Sequence, residues 1–141
     1  MPEGFYQISG FNPTSNFHLS LRVDYPNASD RIRGDRHNLG GDIFIHGGAR
    51  SIGCLAIGDS AIEDLFVLVA DVGLEGTQVV IAPRDPRGGI ALAPVPRIPF
   101  TAELYRRIEE RLAEFSPPPE LPPAPSPEPS PALAPEPPPA P

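Results

Sequence analysis

Cys54, the chain's single cysteine, stands eight residues after His46, and the intervening segment Gly47-Gly48-Ala49-Arg50-Ser51-Ile52-Gly53 carries three glycines. A thiol and an imidazole are the parts needed for nucleophilic acyl transfer, in which the base takes the thiol proton as the sulfur attacks a carbonyl. An ordinary cysteine has a pKa of about 8.5, so a neighbouring imidazole is what makes thiolate readily available near neutrality. The glycines permit positive φ values, which let the segment fold back and bring His46 and Cys54 together. The backbone N–H groups of Gly53 and Cys54 would then point into the same site as donors to an oxyanion. Each residue also has a plainer reading. A lone cysteine is often a small buried hydrophobe, a histidine after a strand is often a satisfied core or surface residue, and glycines in a connection often only make a turn.

The surrounding pattern supplies elements to hold such a pair. Residues 42–46 form a short apolar run ending in His46. Residues 4–9 read as a strand, 11–16 as turn material, and 17–23 as a strand with Phe17, Leu19, Leu21 and Val23 on one face and His18, Ser20 and Arg22 on the other. Residues 25–41 read as a long polar loop. After Cys54, Ser60-Ala61-Ile62-Glu63 has a capping-box pattern with Asp59 before it. Ile62, Leu65, Phe66, Val69 and Val72 then recur at helical spacing until Gly73 and Gly76. Residues 77–83 are β-branched and end at a proline, which predicts a strand. Residues 84–99 are a Pro/Gly-rich connector. Thr101 is placed to cap a helix over 102–115, with Leu104, Ile108, Leu112 and Phe115 on one side, either packed on the sheet or partly free. The expected fold is α+β: a mainly antiparallel sheet or sandwich with one or two helices.

Composition bounds the rest. Of 141 residues 22 are proline, and 14 of those fall in residues 116–141. Proline has no N–H and breaks helices and central strands, so this Pro/Ala/Glu-rich tail is expected to be disordered or extended. The expected division is therefore a partial catalytic domain at 1–83, a connector and helix at 84–115, and a tail at 116–141. The net charge is −7, with no lysine among the eleven bases. That balance gives no basic patch and argues against nucleic acid. One cysteine rules out an internal disulfide framework and gives no zinc-ligand spacing, so no metal site is expected. No apolar run approaches the roughly 20 residues of a membrane-spanning helix. The start, Met1-Pro2-Glu3-Gly4-Phe5-Tyr6, has no signal-peptide pattern. Oligomeric state is not readable.

The pattern His46-Gly47-x-x-x-Ser51-x-Gly53-Cys54, entered from a short apolar strand, resembles the active-site motif of the L,D-transpeptidase (YkuD-like) catalytic domain. The eight-residue spacing is that of its YafK-like branch. Pro2-Glu3-Gly4-Phe5-Tyr6 resembles that family's Thr-Pro-Glu-Gly-x-Tyr signature. Phe17-His18-Leu19-Ser20-Leu21, Tyr25-Pro26-Asn27-Ala28 and Cys54-Leu55-Ala56-Ile57-Gly58-Asp59 resemble further stretches, so that the likeness runs from Pro2 to Pro83.

The resemblance implies an enzyme of peptidoglycan stem peptides that uses no cofactor. Cys54 would attack the L,D-amide carbonyl and expel D-alanine, with His46 as proton acceptor and donor. The thioester would pass to an amine of a second stem peptide or of an envelope lipoprotein. It implies that the Gly47 carbonyl orients His46, that Ser51 steadies the loop or the substrate, that Arg50 pairs with a substrate carboxylate, and that His18 lines the cleft. A periplasmic or envelope location is implied too. The chain departs from the commoner branch in having Ile52 where a second histidine stands and Leu55-Ala56 where an arginine follows the cysteine. Family domains also carry strands and a leader or anchor before the Pro-Glu-Gly signature, so the chain is expected to lack N-terminal strands. Two other readings remain open: a hydrolase that cuts the same amide with water, and a non-catalytic envelope module.

Overall fold

The structure, a computed structural model, describes residues 1–35 and 37–115; the expected disordered tail at 116–141 lies outside the described residues. The elements are β1 (Gly4–Ser15), β2 (His18–Val23), α1 (Ala28–Arg33), β3 (Phe44–His46), β4 (Leu55–Ala56), α2 (Asp59–Val72), β5 (Gln78–Ile81) and α3 (Phe100–Ala113), with a 3-10 turn at Pro86–Gly88. The strands form one sheet in the order β4-β3-β2-β1-β5. All pairs are antiparallel except β3 with β4. This is the expected α+β class.

Alternation along the strands divides the residues between two faces. On one face Tyr6, Ile8, Leu21, Val23, Ile45 and Ile81 pack with Ile43 and against Ile62 and Val69 of α2. Leu21, Val23, Ile62 and Val69 have no exposed surface, and each contributes about 1.5–3 kcal/mol by leaving water. On the other face Phe5, Val80 and Ala82 meet a second cluster built from Leu92, Tyr105 and Ile108 of the C-terminal region. The helix α3 thus packs on the sheet. The hydroxyl of Tyr105 donates to Glu3 at 2.6 Å, tying α3 to the approach to β1.

Several local expectations are corrected. Residues 11–16 are not a turn: β1 continues to Ser15, because Phe11 pairs with Leu21 and its ring meets Phe66 edge-on at 4.9 Å. The polar segment 25–41 is not all loop. Its Asn27-x-x-Asp30 pattern closes a capping box, with Asn27 Oδ1 accepting from the Ser29 and Asp30 N–H groups and the Asp30 carboxylate accepting from the Asn27 N–H, and α1 follows. Phe17 is exposed and Ser20 buried, the reverse of the face expected for each. Helix α2 begins at Asp59 with Gly58 as its cap, so Ser60 closes no box, and Val72 on its stripe is exposed. Thr101 does not cap α3: it sits inside it, its hydroxyl donating to Ile98 O (2.8 Å) and accepting from Val95 N–H (2.8 Å). Phe115 is exposed rather than packed.

Candidate active site

The register of the central strands assembles the site. Ser20 on β2 pairs with both Asn12 on β1 and His46 on β3, and His46 pairs with Ala56 on β4. Directly paired residues project to the same face, and Cys54 lies two residues before Ala56, on that face too. Asn12, Ser20, His46 and Cys54 therefore converge beyond the α2 core, at the far end of β1 from α3. They line a cavity of about 420 Å³ together with Ser15, Asn16, Phe17, Phe44, Ser51 and Ile52.

His46 is held on several sides. It is 3 % exposed. Its Nδ1 lies 2.6 Å from the carbonyl oxygen of Gly47. A carbonyl only accepts, so Nδ1 carries the proton and Nε2 is left as the basic atom of the neutral ring. The Phe17 ring stacks on the imidazole with centroids 4.6 Å apart. The backbone is tied on both sides: Ile57 N–H donates to His46 O (3.0 Å), Gly47 N–H to Leu19 O (3.1 Å) and Gly58 N–H to Gly48 O (3.1 Å). Gly47 has no room for a side chain, since a Cβ there would lie 2.6 Å from both Phe17 O and Asp59 Oδ1. Asp59, in the first turn of α2, accepts from Gly48 N–H at 2.7 Å.

Cys54 is half-buried at the end of an exposed loop. Gly53 before it has φ +129°, a conformation that suits glycine. The thiol points toward the Asp42 carbonyl at 3.9 Å and lines the same cavity as His46.

The remaining sequence-derived residues are placed as follows. The Gly47 carbonyl, expected to orient His46, lies within hydrogen-bond distance of its Nδ1. Ser51 lines the cavity, and its hydroxyl accepts from the Gly53 N–H at 3.2 Å, so the Gly53 donor expected for an oxyanion is engaged within the loop; Cys54, the other expected donor, lines the cavity. Arg50 is exposed on the loop and outside the lining. His18 is also outside it: its Nε2 lies 2.6 Å from Glu63 Oε1 of α2, and its backbone has φ +71°. Sequence reasoning missed Phe17 as the ring over His46, because its alternation assigned it to the core, and Asp59 as the brace of the glycine turn, because in the sequence it stands only as the residue before the Ser60 capping-box pattern. The signal for Asp59 lay in its place one residue after Gly58, where the chain re-enters beside the His46 turn.

Comparison with known proteins identifies the family. The "Putative L,D-transpeptidase YafK" of Escherichia coli, in strains K12 and O157:H7, is 34% identical over 87 residues, which is 58% of this chain and 34% of the relative. The chain thus spans about a third of the length of these relatives. The solved structure of Bdellovibrio bacteriovorus Bd1075 aligns with a TM-score of 0.47 and 22% identity, over 82% of this chain and 41% of that one. The model of the L,D-transpeptidase catalytic domain (YkuD) matches residues 1–81, a stretch that holds the cavity, His46 and Cys54 together, and the chain belongs to that family.

Proposed function

We propose that the protein is a cysteine acyl-transferase of peptidoglycan stem peptides, acting in the periplasm or cell envelope. The observation that carries the reading is the anchoring of His46 Nδ1 on the Gly47 carbonyl, which leaves Nε2 free to serve the one thiol lining the same cavity. Membership of the L,D-transpeptidase family supports peptidoglycan as the kind of substrate.

The steps follow from these atoms. Cys54 Sγ adds to the carbonyl carbon of the L,D-amide while His46 Nε2 takes the thiol proton. The Gly47 carbonyl steadies the imidazolium through Nδ1–H, the orienting role that an aspartate plays in a serine-protease triad. The negative oxygen of the tetrahedral adduct is met by the Cys54 N–H, joined by that of Gly53 once Ser51 releases it. Collapse breaks the C–N bond, and the leaving D-alanine amine takes the proton from His46. An amine of a second stem peptide, or of an envelope lipoprotein, then attacks the thioester. Its proton passes through His46 to the departing sulfur, which restores the thiol. Phe17, Phe44 and Ile52 give the cavity an apolar rim suited to the aliphatic part of a diamino acid, and Asn12, Ser15 and Asn16 offer polar groups to peptide amides.

The test is incubation of the full chain with a tetrapeptide stem ending in D-alanine, with and without an acceptor amine. Release of D-alanine, an acyl adduct on Cys54 and a cross-linked product are expected. A folded protein that forms neither adduct nor free D-alanine would overturn the reading.

A further inference from the structure

The carbonyl that accepts from His46 Nδ1 and the N–H that donates to Asp59 Oδ1 belong to one peptide group, that between Gly47 and Gly48. The two hydrogen bonds measure 2.6 and 2.7 Å and stand on opposite ends of the same amide. A carboxylate on the N–H side of an amide draws electron density toward its carbonyl oxygen, and hydrogen bonds in series strengthen one another. We propose that Asp59 is a positioning residue, acting on His46 through the Gly47–Gly48 peptide so that the carbonyl is both fixed and made a stronger acceptor for Nδ1–H.

The chain is built to allow this approach. The first turn of α2 comes so close to the glycine turn that a methyl at Gly47 would overlap Asp59 Oδ1. The bonds from Gly58 N–H and Ile57 N–H hold the two segments in register. The Gly58 cap leaves the Asp59 side chain unused by the helix, and it turns to Gly48 instead. In a serine-protease triad the acid touches the imidazole directly, and its loss costs about 10⁴-fold. Here one peptide group intervenes and Asp59 is exposed to water on its outer side. The expected effect is therefore about tenfold, the low end of what outer partners of a working histidine contribute in metal sites.

The inference rests on the reading of Cys54 and His46 as nucleophile and base, and the test separates the two. In the full chain, Asp59→Asn keeps an acceptor oxygen but removes the charge, and Asp59→Ala removes both. The readouts are the rate of Cys54 acylation by a carbapenem, followed by intact mass, and the NMR resonance of the His46 Nδ1 proton in the resting protein. Asp59→Asn should acylate about tenfold more slowly with an unchanged saturation constant, Asp59→Ala more slowly still, and the Nδ1 proton should move upfield in both. Glu63→Gln, which removes the carboxylate bonded to His18 one turn along α2, should leave both readouts near wild type. An Asp59→Asn protein matching wild type in rate and resonance would overturn the proposal, as would a slowed rate that follows a lowered melting midpoint with the resonance unmoved. If the wild-type chain is not acylated at all, the functional reading fails. The resonance then decides alone, a shift upholding the coupling and no shift ending it.

Discussion

The two halves of the candidate site are built differently. The segment bearing His46 is buried, covered by the Phe17 ring and fastened by hydrogen bonds to two neighbouring segments, at Leu19 and at residues 57–59. The segment bearing Cys54 is an exposed loop, with Gly53 at positive φ and the thiol turned to a carbonyl at 3.9 Å. A base must keep one tautomer and one direction through two proton transfers. A nucleophile that carries an acyl group must move between attack and release. In the proposed reaction, burial thus falls where a fixed angle would matter, and exposure where an acyl group would have to be accommodated.

Substitutions on the two sides should therefore fail in different ways. The largest effect is expected from His46→Gln, which should slow Cys54 acylation by about 10²–10⁴-fold while leaving the melting temperature near wild type, measured by mass time course and calorimetry. Next is Gly47→Ala. Its methyl meets backbone at 2.6 Å, and overpacking of this kind costs about 1–3 kcal/mol; denaturant unfolding should show the loss, and acylation should fall because the carbonyl under His46 is displaced. Gly53→Ala meets no atom within 4 Å, so it is penalised only by its φ of +129°. The cost should be about 1–2 kcal/mol, the scale of backbone strain, with acylation altered more than unfolding because the strain sits on the nucleophile's loop. A loss of acylation at Gly53 that merely tracks its loss of stability would erase the contrast between the halves.

The smallest effect lies away from the site. Donation to Glu3, with burial, pushes the Tyr105 hydroxyl from its ordinary 10 up to about 12. The folded state holds the proton more tightly, so this contribution is complete below pH 10 and lost as pH rises through 12. A contribution of about 1 kcal/mol to the decline by pH 11 is expected from Tyr105, so the decline read from unfolding curves should be smaller by that amount in Tyr105→Phe, where the Tyr6 hydroxyl, also pushed up by burial and Asp30, still contributes.

The parts of this arrangement legible in the sequence are those set by local pattern. The alternation of Leu19, Leu21 and Val23 marks β2, the stripe of Ile62, Leu65, Phe66 and Val69 marks α2, and the His46–Cys54 spacing marks two residues that line one cavity. Illegible parts depend on contacts distant in sequence. Phe17 looks like a core residue by alternation, yet it covers His46 because β2 begins only at His18. Asp59 stands just before the Ser60 capping-box pattern, yet it serves Gly48, eleven residues earlier. His18 and Glu63 meet 45 residues apart. The Asn27–Asp30 box was present in the sequence but hidden among the glycines and polar residues around it.

The central claim is that the Cys54 sulfur accepts an acyl group with His46 as its base. Intact-mass measurement of the full chain after exposure to a carbapenem tests it most directly. A single adduct mapped to Cys54, absent in Cys54→Ala and formed far more slowly in His46→Ala, is the predicted result. A folded wild-type protein that gains no mass, or gains it at equal rate without His46, would contradict it.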